Sequence, residues 1–92
     1  MSKYHFLWVF QGDNSDCING IFSSKDLAEL YIKEYSLTGI LIKFPLDISV
    51  YQWTIAMGYF SPTKDYMRSS NFIQNFNSAY LEHYHFRDGN AL

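Results

Sequence analysis

The run Tyr4-His5-Phe6-Leu7-Trp8-Val9-Phe10 limits the folds open to this chain more than any other stretch. As an extended strand it sends Tyr4, Phe6, Trp8 and Phe10 to one face and His5, Leu7 and Val9 to the other. Both faces are largely apolar, so the strand must be covered on both sides and lie in a sheet interior. Aromatic and β-branched residues fill it, and no Gly or Pro interrupts it.

Two strands and a helix follow from the turn chemistry. Gln11-Gly12-Asp13-Asn14-Ser15-Asp16 is a polar turn cluster that returns the chain into a second strand, Ile18-Asn19-Gly20-Ile21-Phe22. Gly20 inside it predicts a bulge or a close backbone approach. Ser23 reads as a helix N-cap, with Asp26 in the first turn and Phe22 and Leu27 as a hydrophobic staple. The helix is predicted to reach residue 35. Its inward stripe is Leu27, Ala28, Tyr31, Ile32 and Tyr35, with Lys25, Glu29 and Lys33 opposite and Gly39 as terminator.

Ile40-Leu41-Ile42-Lys43-Phe44 is the third strand, stopped by Pro45. Ser49 and Gln52 form a capping-box pattern, stapled by Ile48 and Trp53, for a second helix over residues 50–57 that Gly58 ends. Its inward face carries Val50, Trp53 and Met57. Residues 61–70 read as a loop or short helix, and residues 71–76 as a helical turn with Phe72 and Phe76 paired. Residues 80–86 make a fourth strand, Asp88-Gly89 a turn, and the last residues are expected to fray. The fold expected is a single α+β domain spanning residues 1–92, in ββαβαβ order. It has a four-stranded, mostly antiparallel sheet and two main helices. A right-handed crossover from strand two to strand three puts strand one between them, giving an order that begins 2-1-3 with strand one central.

Trp8-Val9-Phe10 with Gly12, Gly20-Ile21-Phe22, Pro45-Leu46-Asp47, Tyr51 with Trp53, and His83-Tyr84-His85-Phe86 with Asp88-Gly89 form a recurring combination. It resembles a family of short bacterial proteins known only as a domain of unknown function, over residues 8–89. That resemblance implies a small bacterial domain and transfers no catalytic residue.

Composition narrows the function classes. Of 92 residues, 48% are hydrophobic and only 17% charged, which argues against disorder. The net charge of −2, with no Lys or Arg run, argues against nucleic-acid binding. No apolar run approaches the roughly 20 residues of a membrane span. The single Cys17 and the lack of a signal peptide after Met1-Ser2-Lys3 predict a cytoplasmic protein.

The sharpest chemical candidate is His83-x-His85. Alternate strand residues share a face, so two imidazoles converge there, with His5 as a third metal ligand if the strands are neighbours and Glu82 or Asp88 as a carboxylate. Zinc or nickel would be the ion. Against this stands the absence of CxxC or HExxH spacing, and the plainer reading of the histidines as solvent-facing. Cys17 beside Asp16 lacks a fixed histidine, so a small half-buried residue at a strand start explains it better than a nucleophile. Asp47 reads as a capping or turn residue before a catalytic carboxylate, and Trp8 and Trp53 as core before ligand platforms. Gly12 and Gly20 do not make a phosphate loop.

The second sheet face, expected to carry His5, Leu7, Val9, Ile21, Leu41, Leu81 and His83, is a larger apolar patch than soluble monomers usually expose. The leading expectation is therefore a non-catalytic accessory or protein-interaction module, immunity-type or regulatory. It would bind another protein, or itself as a dimer through that face. The alternative is a metal- or small-molecule-binding protein built on the histidine strand.

Overall fold

The structure, a computed structural model, describes residues 4–92; the expectation drawn from Met1-Ser2-Lys3 lies outside the described residues. The elements run β1 (Phe6–Gly12), β2 (Ile18–Phe22), α1 (Lys25–Glu34), β3 (Gly39–Pro45), α2 (Val50–Ala56), a 3₁₀ turn (Asp65–Arg68), α3 (Ser70–Gln74), β4 (His83–Arg87) and β5 (Asn90–Ala91). The class is α+β with an antiparallel sheet. The sheet has five strands in the order β2-β1-β3-β4-β5, where four were expected. β1 is interior, between β2 and β3, but the middle strand is β3.

The fifth strand comes from the segment expected to fray. Asp88 and Gly89 both take left-handed backbone, φ 50° and 86°, which a tight hairpin turn demands. The chain then folds back so that Ala91 pairs with Phe86 and Asn90 with Arg87. The fourth strand starts at His83, because Leu81 and Tyr80 belong to a bend in which Leu81 N–H reaches Ser78 O.

Register decides which side chains share a face. Trp8 pairs with Lys43 and Phe10 with Leu41, and Leu41 in turn pairs with Tyr84. Leu41 therefore lies on the aromatic face, not on the opposite face as expected; the strand begins at Gly39, and the alternation follows from there. Trp8, Phe10, Leu41 and Phe86 are buried against Ala28 and Ile32 of α1. Trp8 and Trp53 are both core residues, 8% and 7% exposed.

Helix α1 is capped by Ser24, one residue later than expected, whose Oγ accepts from Leu27 N–H. The inward stripe is narrower than predicted. Ala28 and Ile32 point inward and Tyr31 is half-buried, while Leu27 and Tyr35 stand in solvent. The staple between Phe22 and Leu27 goes with it, since Leu27 no longer occupies the fourth helical position. Ser36, at φ 53°, ends the helix, not Gly39. Gly39 is a β3 residue whose added Cβ would meet Gln11 O at 2.3 Å, so it is required by close strand packing.

The second helix agrees more closely with its sequence signals. The Ser49–Gln52 capping box is formed, Gly58 follows at φ 78°, and Trp53 is buried. Met57, expected inward, is exposed, and Thr54 takes the buried place, its hydroxyl donating to Tyr51 O. Trp53 meets Phe6 edge-on at 6.4 Å and Tyr59 at 5.6 Å. Around Tyr51 a second aromatic group gathers from Phe60, Phe72 and Phe76, centroids 5.3–6.4 Å from the Tyr51 ring. The expected Phe72–Phe76 pair is present at 5.8 Å.

Candidate functional site

The sheet face opposite α1 is the surface on which the candidate residues collect. Pairing of Val9 with Ile42, and of Ile42 with His83, puts those three side chains on one face. Gln11, Ile40 and His85 form the next row of the same face. At the β2 edge, Gln11 pairs with Ile18 and Phe10 with Gly20, leaving Asn19 as the extra residue of a bulge. The Gly20 signal in the sequence had pointed to this. The bulge places Ile18 and Ile21 on the same face, where they are 56% and 62% exposed. Coverage of the face is uneven. Leu81 and Val9 are buried, Ile40 and Ile42 are half-buried, and both histidines are exposed.

Two shallow grooves meet at Ile40 and His85. One, of about 340 Å³, lies between Ile40, Ile42, His83 and the segment Asn77-Ser78-Ala79. The other, of about 460 Å³, runs past Gln11, Asp13, Thr38 and Arg87.

His83 and His85 do share a face, with ring centroids 5.8 Å apart and planes at 90°. His83 Nδ1 lies 2.7 Å from Leu81 O. A carbonyl oxygen only accepts, so in the neutral ring Nδ1 carries the proton and Nε2 is the nitrogen with the lone pair. His5 is not brought to them. It precedes β1 by one residue and sits four residues from Val9, the β1 residue in the His83 row, about 13 Å along the strand. Glu82 faces the other way: it accepts from Tyr84 OH and approaches Lys43 at 3.9 Å, and Lys43 lies over the Phe6 and Trp8 rings. Asp88 is taken up by the β4–β5 turn, its N–H donating to Thr38 Oγ1. Among the described residues no group of three or more His, Cys, Asp or Glu is arranged to hold a metal ion.

The remaining candidates have structural explanations. Cys17 is exposed rather than half-buried; its N–H donates to Ser15 Oγ, and its carbonyl accepts from the same hydroxyl. Asp47 takes left-handed backbone, φ 64°, in the turn before α2, and the capping role belongs to Ser49. Gly12 is the register partner of Gly39. Gly20 lies under the Phe22 ring, which an added Cβ would meet at 2.8 Å.

The perturbed titrations lie on the helix side. The Tyr84 phenol is raised above the ordinary 10.0, chiefly by its hydrogen bond to Glu82, then by desolvation and the Glu82 charge. Tyr35 is raised by the charge of Glu34. The Tyr84–Glu82 bond gave no sequence signal beyond i, i+2 spacing on a strand.

No helix among the described residues is long and apolar enough to cross a membrane. No curated protein matches the chain, and no solved structure matches it. The family described as a domain of unknown function, DUF7710, matches residues 7–92, and the chain belongs to that family.

Proposed function

We propose that this chain is a non-catalytic protein-interaction module, an immunity-type or regulatory partner, that binds another protein chain through the sheet face opposite α1. One observation carries the reading: Ile18 and Ile21 both stand in solvent on that face, in the same cross-strand rows as half-buried Ile40 and Ile42. Exposed β-branched residues on a strand that ends the sheet among the described residues are the usual ingredients of a strand- or face-mediated contact. Burying them contributes roughly 25 cal/mol for each Å² of apolar surface removed from water.

The module is read as bacterial and cytoplasmic. Its one thiol, exposed and unpaired, suits a reducing compartment. The net charge of −2 supports a protein partner over nucleic acid. A second copy of the chain is the first partner to test. Sedimentation velocity over a range of concentrations should show a reversible dimer in the parent and a monomer in Ile21→Lys. A parent monomeric throughout moves the assignment to a different protein. An Ile21→Lys dimer as tight as the parent's would contradict use of this face.

A further inference from the structure

We propose that His83 and His85 form a two-imidazole binding site for a borderline transition-metal cation of the zinc or nickel class. The proposal does not rest on the protein-interaction reading. Two imidazoles about 2.0–2.1 Å from one tetrahedral ion have ring centroids roughly 5 Å apart. The observed 5.8 Å differs from that by less than an ångström, a change that small side-chain rotations on an exposed strand supply.

The second observation is the orientation of the His83 ring. Its Nδ1–H donates to Leu81 O at 2.7 Å, which fixes the tautomer and leaves Nε2 as the ligating atom. Metal-binding histidines are held in this way, with the far nitrogen tied to a carbonyl or carboxylate. His85 makes no hydrogen bond through its ring to any described residue, so either of its nitrogens can turn toward the ion. The half-buried Ile40 and Ile42 line the groove beside the His83 and His85 rings.

Imidazole nitrogen selects this class of ion over calcium or magnesium, which take oxygen ligands. Two protein ligands leave the other positions to water or to a donor from a bound partner. Because the imidazoles must be neutral to ligate, binding weakens as the solution is acidified.

Isothermal titration with zinc chloride and, separately, nickel chloride tests the site in the full chain. One ion per chain is expected, with affinity lower by at least about tenfold in His83→Ala and in His85→Ala, and unchanged in His5→Ala. Both substituted residues are exposed, and circular dichroism checks that the variants remain folded. Imidazole nitrogen NMR should show the His83 Nε2 resonance moving on zinc addition while Nδ1 stays protonated. Failure of either metal to bind, equal binding by the double variant, or coordination through His83 Nδ1 would overturn the proposal.

Discussion

Gly39 faces Gly12 across the β1–β3 pair so closely that a β-carbon on Gly39 would lie 2.9 Å from Gly12 Cα and 2.3 Å from Gln11 O. Neither neighbour is the end of a flexible side chain, so the strands themselves would have to part. Gly39→Ala is expected to cost about 3 kcal/mol or more, the upper end of overpacking penalties. Gly58→Ala is the comparison: among the described residues, beyond its chain neighbours, no atom lies within 4 Å of its added Cβ, and the φ of 78° is what resists, worth about 1–2 kcal/mol. Urea denaturation of the two variants checks the ranking. Equal losses would mean that close packing at Gly39 is not the governing constraint.

Trp53 packs α2 against Phe6 of β1, edge-on, and meets Tyr59 in the same way. Trp53→Ala should cost about 3–5 kcal/mol, out of the roughly 5–15 that a domain of this kind possesses. The denaturation midpoint reads this directly. A midpoint close to that of the parent would remove Trp53 from the core.

The Tyr84 phenol donates to Glu82, and ionising it removes the donor and sets two negative charges together. Its folded-state pKa lies above the ordinary 10.0, so the neutral form is favoured by folding. The contribution is therefore fully present below that ordinary value and is lost as the pH rises through the raised one. Glu82→Gln should bring the Tyr84 titration back toward 10.0, followed by NMR of the ring carbon bearing the hydroxyl. Titration at one and the same pH in parent and variant would show that burial, not Glu82, sets the shift.

Much of this architecture was legible where signals were local. The alternation in residues 6–10, the Gly20 bulge and the Ser49–Gln52 box each specify their own geometry within a few residues. What escaped was set by register or by competition between neighbours. Ser23 and Ser24 are both competent caps, and only Ala28 and Ile32 of the predicted stripe are fully buried, with Leu27 left exposed. Leu41 changed face because strand alternation magnifies a one-residue difference into a change of side. β5 is too short to show periodicity and exists through the Asp88-Gly89 turn. The His83–His85 pair was readable from i, i+2 spacing, whereas the separation of His5 from it depends on the stagger of β1, β3 and β4.

The central claim is that a partner chain covers the sheet face bearing Ile18 and Ile21. The most direct measurement places a photo-crosslinking amino acid at position 21, and at Lys33 on the exposed side of α1 as a control, in cells that naturally make the protein. Position 21 should give one discrete protein adduct, either a homodimer or a single heterologous species, that disappears when Ile18→Lys is added. Position 33 should give none. Only monomer from position 21, or the same adduct from both positions, would contradict the assignment of this face as the interaction surface.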